Sequence, residues 1–167
     1  MDHRPDIRLS GISLDDVEWI TRACQDTEIQ RWTLVPRPYT REHAVGFVET
    51  GAGEFRNWAI RHATENEPVG MISIHSVDET TGIADIGYWV APWGRRRGIA
   101  SAAVGIVVEE ARRLGTAHTV EARVAVTNIA SRRTVESCGF VAQQDSCGFK
   151  CPDGDDEVYA VVYRLAL

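Results

Sequence analysis

The chain has 167 residues, 44% hydrophobic and 25% charged, with glycine and proline scattered along it; this suits one domain spanning residues 1–167 and excludes disordered and repeat architectures. A formal net charge of −6 argues against nucleic acid, which needs an extended basic face, and favours a cationic small molecule or basic peptide. No apolar run approaches the roughly 20 residues of a membrane span, and the opening MDHRPDIRLS lacks the apolar core of a secretory signal, so a cytoplasmic location away from membranes is expected.

IRLS (7–10) reads as a short strand. Ser13 caps LDDVEWITRAC, whose Asp15 and Asp16 fall in the first turn, where the helix dipole favours negative charge. QRWTLVPRPY (30–39) is aromatic and proline-punctuated and reads as an irregular loop, after which Thr40 caps a second helix, REHAVGFVET. FRNWAIRHA (55–63), VGMISIHSV (69–77) and IADIGYWVA (83–91), separated by TENEP and DETTG, make an antiparallel meander of three strands. From Gly98 to Leu114 the chain is apolar around most of its circumference, the mark of a largely buried helix. In HTVEARVAVT (118–127), Val120, Ala122, Val124 and Val126 alternate with polar residues as in a strand. NIASRRTVESC is a further helix stopped by Gly139, and FVAQQDSCGFK and EVYAVVYRL are two strands joined by the turn-rich CPDGDD. The order β-α-α-β-β-β-α-β-α-β-β predicts a mixed α/β (α+β) fold of about seven strands and four helices.

APWGRRRGIAS (91–101) concentrates three arginines in an acidic chain. It joins a strand ending at Val90 to a helix starting near Gly98, so unpaired N–H groups and the positive end of a helix dipole meet there, as at anion sites. The small Gly98 and Ala100 let a bulky anion approach the backbone, and the arginines suit phosphate oxygens; a pyrophosphate fits, and a solvated basic turn is the alternative. GxxxxGK[ST] and GxGxxG are both absent, which excludes a P-loop or dinucleotide fingerprint. His43, His62, His75 and His118 lie on different elements without metal-ligand spacing and read as packed or surface residues. Cys24 and Cys138 lie in helical patterns, and Cys147 and Cys151 have no second ligand pair, so reduced thiols and no metal are expected.

Arg95-Arg96-Arg97-Gly98-Ile99-Ala100 matches the signature R/Q-x-x-G-x-G/A. With ADIGYWVAP before it, a buried helix after it and TNIASRRTVESCGF at the distance of an N-x-x-S/A…GF segment, the chain resembles the GNAT superfamily of acetyl-CoA-dependent N-acetyltransferases. Its front, DTEIQRWTLVPRPYTREHAVGFV, is similar to the Rim-type branch, which includes acetyltransferases of ribosomal-protein N-terminal alanine. The resemblance covers nearly the whole chain; Arg96 departs from it, standing where many members have glycine. It implies the GNAT fold, acetyl-CoA as cofactor and a small-molecule or peptide amine as acceptor, and it is compatible with a homodimer. It also implies that the strand carrying Trp89 and Val90 splays from its parallel neighbour, so that the backbone of Val90 pairs with the pantetheine arm. The N–H groups of Arg95, Arg96, Arg97, Gly98, Ile99, Ala100 and Ser101 then cradle the pyrophosphate, with Arg95 to Arg97 and Arg133 adding charge.

Acyl transfer from a thioester to an amine needs a deprotonated amine, a stabilised oxyanion and a thiolate that can leave. By resemblance, Asp85 stands where relatives often carry a glutamate and reaches the amine through one water; a plain surface carboxylate is the alternative. A backbone N–H near Val90 is the implied oxyanion donor. Val135 occupies the place of the tyrosine acid of many relatives, so the role passes to Ser131, whose hydroxyl could instead back-bond to residue 127, and Asn128 holds the pantetheine arm or an ordered water. Trp32, Tyr39 and Trp58 line the acceptor pocket or fill the core, and Cys138 reads as packing. The expected activity is N-acetyl transfer in a direct ternary complex; the rival is a non-catalytic acyl-CoA-binding sensor module, which the absent tyrosine keeps open.

Overall fold

The computed structural model describes residues 5–145 and 148–167, so Cys147 lies outside the described residues. The strands are β1 (Ile7–Ser10), β2 (Arg56–His62), β3 (Pro68–Asp78), β4 (Ile83–Val90), β5 (Thr119–Ala125), β6 (Val141–Ala142), β7 (Lys150–Asp153) and β8 (Asp156–Ala166), and the helices α1 (Val17–Cys24), α2 (Thr27–Trp32), α3 (Arg41–Thr50), α4 (Ile99–Leu114) and α5 (Ile129–Ser137). Strand order across the sheet is β1-β2-β3-β4-β5-β8-β6, with β7 also paired to β8. The β2–β3–β4 meander is antiparallel, and β4–β5 is parallel. No helix among the described residues is long and apolar enough to cross a membrane.

Strand alternation gives the sheet two faces, each with its own core. Ile60, Ile72, Ile74, Ala84, Ile86, Val120 and Tyr163 point toward α4 and α5 and pack on Ile99, Val104, Val107 and Val135. Ala59, Met71 and Trp89 point the other way and pack on α1, α2 and α3 through Trp19, Ile20, Ile29 and Ala44.

The mixed fold stands as expected, with local corrections. The first helix begins as a 3-10 turn, Leu14–Asp16, capped reciprocally: Ser13 Oγ accepts from the Asp15 N–H, and Asp16 accepts from the Ser13 N–H. The stretch read as a loop from residue 30 overlaps α2, whose N-cap Asp26 accepts from the Ile29 N–H at 3.0 Å. The strand read over 140–150 is two, β6 and β7: Val141 opposes Arg164 and Lys150 opposes Tyr159 on β8. Within CPDGDD, Cys151 to Asp153 belong to β7 and only Gly154 and Asp155 turn the chain. On β5 the polar position Glu121 is 1% exposed, held by Arg123 Nε and Arg164 Nε, both at 2.8 Å.

Candidate active site

β4 and β5 pair only from Ile83–Thr119 to Ile86–Ala122, although β4 runs on to Val90 and β5 to Ala125. The Ala91 N–H donates to the Val69 C=O at 2.8 Å, so Ala91, Trp89 and Gly87 turn their backbones toward β3. By the alternation of an antiparallel ladder, the backbones of Tyr88 and Val90 face the diverging β5. The Val90 C=O accepts from Arg95 Nε at 3.2 Å, while its N–H points into the wedge between the strands. A wedge bounded by an unpaired strand edge suits an extended, amide-bearing arm.

The wedge opens onto the start of α4. Arg96 (φ 62°) and Gly98 (φ 69°) both lie in the left-handed region and curl the loop onto the N–H groups of the 16-residue helix, which buried Ile99 anchors. That conformation gives a physical reason why glycine suits position 96. Arg96, Arg97 and Arg133 are exposed and make no hydrogen bond or ion pair among the described residues. Ala100 lies in the first turn of α4, and Ser101 Oγ is 3.3 Å from Ser137 Oγ, tying α4 to α5.

Arg95 corrects the expectation that its charge is offered outward. Its guanidinium pairs with Asp26 at the cap of α2 as well as bonding Val90. Burial opposes ionisation of Asp26, but the hydrogen bonds from Arg95 and the Ile29 N–H outweigh it and hold the carboxyl below its usual range. Toward its other end α2 is tied by Arg31 to Asp153 of β7 at 2.6 Å, an acid that also accepts from Thr127 Oγ1 at 2.7 Å. Arg37, in the loop that follows, pairs with Asp155 at 3.0 Å. So α2 is a strap running from the end of β4 to the β7–β8 hairpin.

On the α5 side, Asn128 Oδ1 caps the helix by accepting from the Ser131 N–H at 3.1 Å. Ser131 Oγ lies 2.9 Å from Tyr88 Oη, so its hydroxyl meets a phenol and not the carbonyl of residue 127. Burial pushes the Tyr88 phenol up to about 12, which keeps it protonated and able to donate. Tyr88 went unremarked in the sequence, where it is one more alternating strand residue. Val135 is fully buried and belongs to the core.

Asp85, Gly87 and Trp89 share the opposite face of β4. Burial raises the Asp85 carboxyl above its usual range, against the charges of Arg123 and His75, with Glu121 and Glu54 adding to the rise. Arg123 Nη1 is 3.9 Å away. His75 Nδ1 lies 2.5 Å from Glu54 Oε2, and a β-bulge between Ile74 and Ser76 sets His75 off the ladder.

The aromatic expectations divide. Trp58 takes its core alternative: it packs on the α4-side core, while its neighbour Ala59 faces α1–α3. Tyr39 is buried among α1–α3, bonded to Cys24, and is core. Trp32 sits at the end of α2 under Arg31, 4.3 Å from its ring, with Nε1 donating to Glu28. Trp89 packs against Trp19 with ring centroids 5.8 Å apart and turns its backbone to β3, so it braces the strand, while Val90 keeps the free edge.

An acetyltransferase (GNAT) domain model matches residues 6–141. The chain belongs to the GNAT acetyltransferase family. Like that family, this GNAT enzyme takes its acyl group from acetyl-CoA. It is 25% identical over 162 residues, 92% of either chain, to the uncharacterized N-acetyltransferase YoaA of Bacillus subtilis (strain 168). Its fold is shared with a putative ribosomal-protein-serine acetyltransferase from Vibrio cholerae, at a TM-score of 0.81 and 18% identity over 100% of this chain and 96% of that one. It is likewise shared with the microcin C7 self-immunity acetyltransferase MccE, solved with acetyl-CoA and AMP, at 0.82 and 18% over 97% and 93%.

Proposed function

We propose that this GNAT protein acetylates a primary amine, on a protein N-terminus or a small molecule, by direct attack in a ternary complex. The observation that carries this reading is the unpaired Val90 edge opening onto the start of α4. When bound, acetyl-CoA supplies an activated acetyl thioester. The residues present fit it: the Tyr88–Val90 edge offers amide pairing to the pantetheine arm, and the curled loop from Arg95 to Ser101 offers N–H groups to the pyrophosphate. Arg96, Arg97 and Arg133 supply the charge, and Arg95 holds the loop to α2.

The Val90 N–H serves the developing oxyanion. Asp85, its carboxyl raised above its usual range by burial, draws a proton from the amine through one water. Ser131 gives its hydroxyl proton to the departing thiolate, with Tyr88 as donor behind it, and Asn128 fixes the helix turn that carries Ser131. The printed names of neighbours include ribosomal-protein and spermidine acetyltransferases, and the acidic chain suits cationic acceptors of both kinds.

The test follows CoA release with an alanine-initiated peptide, spermidine and an aminoglycoside. Turnover on at least one supports acetyl transfer; tight acetyl-CoA binding with none would return the molecule to a cofactor-binding sensor.

A further inference from the structure

Beside Asp85 the acceptor face carries a second titratable group, one that the acetyl-transfer scheme leaves idle. The bulge between Ile74 and Ser76 frees His75 from the β3–β4 ladder, and its ring lies over Gly87. Any Cβ at position 87 would run into His75 Nε2, so glycine there is what admits the imidazole. Bulges commonly re-aim a side chain beside a site. Nδ1 is 2.5 Å from Glu54 Oε2, and Glu54 precedes β2 on a turn closed by its own N–H bond to the Gly51 C=O. A carboxylate on Nδ1 makes that nitrogen the N–H donor and leaves the lone pair on Nε2, over Gly87. His75 is 42% exposed and Glu54 22%, so the pair is reachable from solvent but not loose in it. His75 and Glu54, together with Glu121 and Arg123 on β5, are the groups whose charge acts on Asp85 of β4. Gly87 is also the first β4 residue beyond the β5 pairing, at the root of the wedge.

We propose that the Glu54–His75 pair, held over Gly87 by the β3 bulge, stores the first proton shed by the acceptor ammonium. The proposal rests on the acetyl-transfer reading of the site. An ammonium loses two protons in all. The first passes through the water held by Asp85 to Nε2, forming an imidazolium that Glu54 and Asp85 stabilise, and is later released to solvent. The freed nitrogen lone pair then forms the C–N bond as the C–S bond breaks. The second proton leaves nitrogen at that stage through the same water to Asp85, and balances the one that Ser131 gives to the thiolate. The ligand class this favours is a cationic amine that must be discharged before it reacts.

The measurement is kcat/KM for the best amine of the panel, in the wild type, His75→Ala, Glu54→Gln and Asp85→Asn. His75→Ala should lose about 10²-fold, as for a general base, and recover on addition of free imidazole, which fills the space of the missing ring; a purely structural histidine gives no such rescue. Glu54→Gln, whose amide oxygen still accepts from Nδ1, should lose less, and imidazole should not rescue Asp85→Asn. Wild-type rates in His75→Ala, or a loss imidazole leaves untouched, overturn the proposal alone. If His75→Ala is unstable, Glu54→Gln decides: an unchanged kcat/KM overturns it. A wild type that binds acetyl-CoA and acetylates no amine overturns the acetyl-transfer reading, and this with it.

Discussion

Tyr88 and Ser131 lie 43 residues apart in sequence and 2.9 Å apart at their oxygens. If the serine passes a proton to the thiolate, Ser131→Ala should lower kcat by roughly 10²-fold with acetyl-CoA binding nearly intact. Tyr88→Phe should lower it less, and adding it to Ser131→Ala should change nothing further, because groups acting in series are not additive. Independent, multiplying losses in the double variant would separate the two hydroxyls. Asp85 gives a different signature. A carboxyl whose folded pKa exceeds its unfolded value binds its proton more tightly in the native chain, so ionising it opposes folding. That penalty is absent in acid and grows as pH rises from the unfolded pKa through the folded one. Asp85→Asn should therefore raise Tm at neutral pH, lose that advantage in acid, and lower kcat/KM throughout; equal Tm at both pH values would contradict the burial argument.

The arginine loop and α2 work as a pair of elements. Relief of left-handed strain at Arg96, about 1 kcal/mol, is offset by the entropy of glycine, about 0.5–1 kcal/mol. Arg96→Gly with Arg97→Ala should thus leave Tm near the wild-type value while raising KM for acetyl-CoA, each lost charge-assisted contact costing about 1.5–3 kcal/mol. An unchanged KM would return both side chains to solvent. Arg95→Ala should act differently, loosening α2. The sequence told much of this and missed a definable part. Ser13 and Thr40 caps, the meander and the apolar circumference of α4 are local patterns, and local patterns survive in a string of letters. α2 went unseen because six residues carry little periodicity beside Pro36 and Pro38. Strand alternation separates Trp58 from Ala59 but does not say which of the two faces α4. The Arg95–Asp26 pair spans 69 residues, so nothing near Arg95 marks its partner. His75 was read as a surface or packed ring because its bulge and its Glu54 partner exist only after the strands assemble.

Across the fold, the site draws on both faces of one sheet: the Tyr88–Ser131 contact lies on the α5 side, and Asp85 and His75 on the side of α1–α3. The free Val90 edge lies where the two strands part, so on the proposed reading the arm of the cofactor and the amine would come from opposite sides to one gap in the ladder. The strap α2 has a consequence for what can reach that gap. A bar fastened at both ends across a slot admits a thread and turns away a plate, whatever charge either carries. Among acceptors, the enzyme should therefore sort by cross-section: the free end of an extended peptide or a linear polyamine passes, and a lysine in the middle of a folded helix does not. Mass spectrometry of a folded protein with a flexible N-terminal tail, incubated with enzyme and acetyl-CoA, should find the label on the terminal amine alone; cutting the strap's anchors with Arg31→Ala and Arg95→Ala should let interior lysines begin to react.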